Sequence, residues 1–522
     1  MKRLFNYIVR LTAVVACLGI VATSCGEPDR KEVLKIYNWG DYIDEELLDE
    51  FEVWYHEQTG CEVEIIYQTF DINEVMLAKI EKGEADFDVV CPSEYIIERM
   101  MRNNLLQPIV DEEFLADLER TNTENYLGCV SPYIRSQFDH IITPEPDMNA
   151  NDYSVGYMWG TTGILFNTEN VSSEEASSWD LMFDERLEGK ILVKDAFRDV
   201  YSPMLVYAKT LEAREKGLLG ADDTLPLNDA AAAERGLVGV VPTIEELMFD
   251  SSDASIALVE EYLKHMKRLV AGWEADFGKE MMTQNKAWIN LMWSGDAVWA
   301  IEEAAEVGVS LDYVVPEEGS VVWFDGWVIP KYAKNPRAAR YFINYMCAPE
   351  NAVRNMDATG YVSVVATEEV LRAMDPMLAA MDEAEDEAEV AALRAERDAL
   401  LETDGVDLSY FFKDAEGNPL TFDMGDGYIV DASCVYVDPI MYPDLAVIER
   451  CAMMHDSGAQ TEKMLEMWSR VKGDNLSPWM LGFIIVSFLV IVVFVVWRKV
   501  DAYRKQQKML KRRHHAKKQQ KA

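Results

Sequence analysis

From Val33 onward the chain alternates short β-type runs with helical ones: Leu34–Tyr37, then Glu45–Gln58, Val63–Tyr67, Asn73–Lys82 and Phe87–Val90. Strands separated each time by a helix cannot pair as tight hairpins. They predict a parallel sheet covered by helices, an α/β fold. Such sheets bind ligands at the loops that follow the C-terminal ends of their strands, which puts Trp39 to Tyr42 and Pro92 to Tyr95 where contacts belong. A second α/β stretch opens with Gly156-Tyr157-Met158-Trp159-Gly160 and runs through Lys190–Lys194, and Trp323–Ile329 reads as a strand returning to the first lobe. At 522 residues the chain is too long for one core. Two lobes with the chain crossing between them would enclose a cleft, the usual home of a small ligand.

The two ends place the region between them. Lys2, Arg3 and Arg10 precede an apolar stretch from Leu11 to Val21 and the small-residue run Ala22-Thr23-Ser24-Cys25, the layout of a secretory signal. Cys25 after small residues resembles a lipidation site, with Ala22 where such motifs place Leu. Trp479 to Trp497 is an uninterrupted apolar run without charge, long enough to span a bilayer and bracketed by tryptophans suited to its interfaces. Eleven Lys or Arg then face the single acid Asp501 among residues 498–522, which puts the C-terminus in the cytoplasm and the region between Cys25 and Ser477 outside. The basic tail reads as a topology anchor rather than a nucleic-acid element.

The formal net charge is −43, and without the basic ends the exported region is more acidic still. Such a surface repels nucleic acid and concentrates cations. Cys61, Cys91, Cys129, Cys347, Cys434 and Cys451 would lie in an oxidising compartment, where disulfides and buried free thiols are equally open. Residues 217–254 and 376–404 read as insertions, the second an acidic, alanine-rich helical pattern with a solvated face. HExxH, GxSxG, GxxxxGK[ST] and GxGxxG signatures are missing, and His56, His140, His265 and His455 are scattered. No catalytic residue, metal or cofactor is expected.

Aromatic residues recur beside isolated acids in the expected loops: Trp39 and Tyr42 around Asp41, Trp323 beside Phe324-Asp325, Trp293 in Met292-Trp293-Ser294-Gly295, and Tyr361 after Gly360. Aromatic faces attract ammonium groups and pack methylenes, while a carboxylate fixes each charged end. That combination suits a flexible aliphatic diamine.

The ordered markers Tyr37-Asn38-Trp39 with Tyr42, Tyr67-Gln68-Thr69-Phe70, Phe87-Asp88-Val89-Val90-Cys91-Pro92-Ser93 with Tyr95, Arg198-Asp199-Val200, Trp323-Phe324-Asp325 and Thr359-Gly360-Tyr361 resemble the spermidine/putrescine-binding proteins of bacterial polyamine transporters. The resemblance runs with gaps from about Val33 to Gly473. It implies a two-lobed (type II) periplasmic-binding-protein fold plus the C-terminal transmembrane helix. It further implies that Trp39, Tyr42, Tyr95, Trp293, Trp323 and Tyr361 wall an aliphatic chain. Asp325 would hold an ammonium, Asp199 and Asp41 would serve other nitrogens, and Ser93 would add a hydrogen bond. Three departures stand out: Ala196 where the family often has a second acid, Gly40 for a hydroxyl residue, and Met454 for a glutamine.

The expected organisation is a signal or lipobox segment over residues 1–25, one lobe from 31–150 with a return segment 324–375, and a second lobe from 151–323 with 405–474. The transmembrane helix (479–497) and the basic tail (498–522) follow. The expected function is the solute-binding component of an ABC importer, its partners a polyamine, the permease subunits with their ATPase, and the membrane. The alternative from another class is a membrane-anchored sensor or scaffold ectodomain for polyamines or small cations.

Overall fold

The strands of the first half are β1 (Val33–Trp39), β2 (Glu64–Phe70), β3 (Val89–Val90), β4 (Leu106–Gln107) and the long β5 (Ser154–Asn167). Then come β6 (Ile191–Lys194), β7 (Val270–Glu274), β8 (Ile289–Trp293), β9 (Leu311–Val314), β10 (Ser320–Pro330), β11 (Val362–Ser363), β12 (Thr421–Asp423), β13 (Ile429–Asp431) and β14 (Cys451–Ala452). This computed structural model describes residues 29–473 apart from 84, 85, 276 and 415, together with positions 486 and 498. Those two positions aside, the signal-type segment with Cys25, the apolar run Trp479–Trp497 and the basic tail lie outside the described residues. Among the described residues no helix is long and apolar enough to cross a membrane. The chain divides into two compact units, Met1–Met464 and Leu465–Ala522; the sheets and every candidate site residue belong to the first.

The main sheet runs β2-β1-β3-β10-β5-β8-β6-β7. Its two ends are parallel triplets, β2-β1-β3 and β8-β6-β7, as the alternation in the sequence predicts. Between them lie β10 and β5, antiparallel to each other, with β10 reaching β3 at one end and β5 reaching β8 at the other. Every residue of both long strands is buried, so neither shows the alternation of a strand with one face in water. The β1 to β2 crossover is the helix Glu46–Thr59, which buries Leu47, Leu48, Phe51 and Tyr55 on one face and stops at Gly60, where φ is 69°. Phe51 meets Phe342 and Tyr345 edge-on, fastening this helix to a later one.

The acidic stretch is two helices, Pro376–Glu383 and Glu387–Asp404, rather than one pattern. Asp386 breaks the run by capping the second, accepting from the amides of Ala388 and Glu389. Arg397 is the only buried residue of that second helix, so the remainder is a solvated face. Residues 217–254 hold the short helices Asp229–Glu234 and Ile244–Phe249. Cys61, Cys91, Cys129, Cys347, Cys434 and Cys451 are all free thiols.

Candidate functional site

The centre of the site is Asp325, midway along β10. Successive strand residues face opposite ways, so Trp323 and Asp325 share one face while Phe324 packs behind them against Trp159. A register shift follows between Asp325 and Gly326, re-aiming the strand at this point. Asp325 Oδ1 accepts from the Ser93 hydroxyl at 2.6 Å and Oδ2 from the Tyr42 hydroxyl at 2.9 Å. Both partners are neutral, and Asp325 forms no ion pair among the described residues. Burial pushes its carboxyl up to about 7 against the pull of those two hydroxyls, and the charge of Asp199 adds to the rise.

Each partner arrives from the C-terminal end of a strand. Tyr42 follows β1, and its ring meets Tyr157 and Tyr361 edge-on with centroids 5.4 and 4.9 Å away. Ser93 is the N-cap of the helix Glu94–Arg102, yet its hydroxyl makes no cap bond because it is turned to Asp325. Asn73 donates to the Ser93 hydroxyl at 3.0 Å and to the Tyr95 hydroxyl at 3.1 Å, and Tyr95 donates to Glu74 at 3.3 Å. Trp323 lies edge-on to Tyr361 at 5.7 Å.

On the other side of the site, Asp199 is the third residue of the helix Phe197–Glu215, a position that favours a carboxylate. It accepts from Trp293 Nε1 at 2.9 Å. The Tyr361 hydroxyl donates to Asp296 at 2.9 Å, and Asp296 holds the buried Lys194 amine at 2.6 Å. A Cβ on Gly295 would fall on the Tyr361 ring, so only glycine admits that ring. Trp39 is half-buried at the end of β1 against Phe70, at 4.4 Å. Asp41 is exposed in a left-handed turn at φ 50° and shares no hydrogen bond or ion pair with the others among the described residues. Ala196 is the N-cap of the helix Phe197–Glu215 and makes no side-chain cap bond.

Four residues of this neighbourhood were not among the expected site residues: Glu74, Glu94, Lys194 and Asp296. Glu94 is fully buried, with Oε2 on the Phe324 amide at 3.0 Å and Oε1 without a hydrogen-bond partner. Burial drives the Glu94 carboxyl far up and raises those of Glu74 and Asp199 as well. Asp296 is the exception. Burial opposes its charge, but Lys194 and Lys279 hold it low. The Nε1 donors of Trp39 and Trp323 are buried without a hydrogen-bond partner. A neutral solute would leave the Asp325 carboxylate without its counter-charge, and an anion would be repelled by it; a cationic, partly apolar solute satisfies acids and aromatic faces together.

The profile of the family described as bacterial extracellular solute-binding protein matches residues 46–381. The spermidine/putrescine-binding periplasmic protein of Escherichia coli (strain K12) is 26% identical over 352 residues, 67% of this chain and 82% of that protein. The putrescine-binding periplasmic protein PotF of the same strain is 28% identical over 359 residues, 66% of this chain and 81% of that one. Among solved structures, the spermidine/putrescine ABC transporter substrate-binding protein PotD from Streptococcus pneumoniae superposes with a TM-score of 0.51 at 25% identity, covering 84% of this chain and 98% of that one.

Proposed function

Since the chain belongs to the bacterial extracellular solute-binding protein family and has the α/β periplasmic-binding-protein fold, we propose that it captures a polyamine such as putrescine or spermidine for an ABC importer. Asp325 is the ammonium anchor, Trp323, Tyr42 and Tyr361 surround the alkyl chain with Trp39, Tyr95 and Trp293, and Asp199 takes a second nitrogen. The observation that carries this reading is a buried carboxylate held only by neutral hydroxyls and ringed by aromatic rings. An unpaired buried carboxylate costs several kcal/mol, on the order of the desolvation penalty per ion. A ligand ammonium offsets that cost.

In this reading residues 31–150 with 324–375 form one lobe and 151–323 with 405–474 the other, and the solute is enclosed as they close. The apolar run Trp479–Trp497 would hold the binding region at the outer face of the membrane, beside the permease, with Cys25 as a second, lipid attachment. The sensor alternative has no observation of its own in its favour. Calorimetric titration of the detergent-purified full chain with putrescine, spermidine, spermine and cadaverine tests the proposal. Saturable binding of at least one of them is expected; the lack of any, in protein that melts cooperatively, would sink it.

A further inference from the structure

We propose, resting on the reading of this site as a polyamine site, that Lys194 determines how many ammonium groups it accepts: the chain's own buried amine occupies the Trp293 end, so a diamine is preferred to a triamine. Lys194 Nζ lies 4.5 Å from the centroid of the Trp293 ring. It is 2.6 Å from Asp296 Oδ2 and 3.4 Å from Glu274 Oε1, with its side chain 1% exposed. One face of Trp293 therefore already carries an ammonium. Only the other face is left for ligand methylenes.

The surroundings of Lys194 extend the same bias. Lys279 stands 3.4 Å from the other oxygen of Asp296, so Asp296 and Glu274 are matched by two amines of the protein. Glu274 is further used by the Gly278 amide at 3.0 Å and the Asn290 side chain at 3.1 Å. Arg198 adds a third cation, its guanidinium 5.7 Å from the Tyr95 ring. Glu74 and Glu94, the other acids close by, are held toward the neutral form by burial. Lys194 itself stays charged: burial works against it, but Asp296 and Glu274 keep its amine above the usual range.

The site is thus polar along its length. At Asp325 no cation among the described residues pairs with the carboxylate. At Asp199 a second ammonium finds one carboxylate, already bonded to Trp293 Nε1. A third ammonium beyond it meets Lys194 and Lys279, whose partners Asp296 and Glu274 are already in use, and like charges in a buried setting repel.

The test is the ratio of putrescine to spermidine affinity, measured by calorimetry on the detergent-purified full chain. The parent is expected to bind putrescine at least about tenfold more tightly, about 1.4 kcal/mol. The double variant Lys194→Met/Asp296→Asn removes the amine and its partner's charge together and keeps an acceptor for Tyr361; it is expected to move the ratio about tenfold toward spermidine. If that variant fails to melt cooperatively, Lys279→Gln, at a position 21% exposed, should move the ratio the same way by roughly threefold. A parent that prefers spermidine, or folded variants with an unchanged ratio, would overturn the role of Lys194 while leaving the polyamine site intact. A parent that binds neither amine would overturn the site reading beneath it.

Discussion

Asp325 has the property that most directly links structure to behaviour in solution. Its carboxyl, lifted by burial to about 7, is largely protonated in the empty site below that pH and cannot then pair with an ammonium. Ligand amines stay charged throughout, since an alkylammonium titrates near 10 or above, roughly as Lys does. The sign follows: affinity for putrescine rises with pH up to neutrality and falls below it by up to about tenfold per pH unit, with proton release on binding at acidic pH. Calorimetry at pH 5.5, 6.5 and 8 in buffers of different ionisation heat checks this, and a flat profile would remove Asp325 as the anchor. At this scale the adjacency of Trp323 and Asp325 in the sequence points to a pair that the structure buries on one face of a strand. The sequence was silent on Asp296, which lies one residue past Gly295 and enters through Tyr361, and on Lys194, whose partners Asp296 and Glu274 are far away along the chain. Asp41, flanked by Trp39 and Tyr42, shows the opposite limit: adjacency does not reveal that a turn at φ 50° leaves it exposed.

The helices and strands that place these residues were legible to within a few positions, because apolar periodicity survives wherever one face is buried. The helix expected over Glu45–Gln58 is Glu46–Thr59, and the returning strand expected over Trp323–Ile329 is Ser320–Pro330. The β3 strand shrinks to Val89–Val90, the two residues in register with β1, with the amides of Asp88 and Cys91 on either side donating to the Lys35 and Tyr37 carbonyls. The acidic stretch was the least legible element. Its charges said solvated helix, but they hid the local break, where Asp386 caps the second helix, and the anchoring of Arg397, which depends on a tertiary contact. Arg397 Nε lies 2.9 Å from Asp375, with side-chain exposures of 2% and 0%. Asp375 also accepts from the amides of Met377, Leu378 and Tyr436, so it ties three segments together. Arg397→Met leaves that carboxylate buried without its cation and should lower stability by about 3 kcal/mol. Denaturant unfolding measures it; a loss under about 0.5 kcal/mol, the range of ordinary surface changes, would show that the helix is not anchored there.

For the whole molecule, the long antiparallel pair β5 and β10 joins two parallel triplets and carries Asp325 at their junction, so one strand serves both halves of the sheet. The attachment proposed for the ends predicts that Cys25→Ala protein stays in the membrane fraction, because one acyl chain gives only marginal anchoring whereas a spanning helix holds firmly. Its release into the soluble fraction without proteolysis would contradict an anchor at Trp479–Trp497. The central claim is that the carboxylate of Asp325 receives a ligand ammonium. Asp325→Asn preserves shape, removes the charge and turns one of the two acceptor oxygens into a donor, so putrescine affinity measured by calorimetry at pH 8 should fall by about 2 to 4 kcal/mol, while neutralising Asp382, Glu383 and Glu387 on the solvated helices should change it little beyond a Debye length of about 8 Å. Asp325→Asn protein that binds putrescine like the parent, with binding lost in the acidic-helix variant, would place the cation site in the insertion and contradict the account.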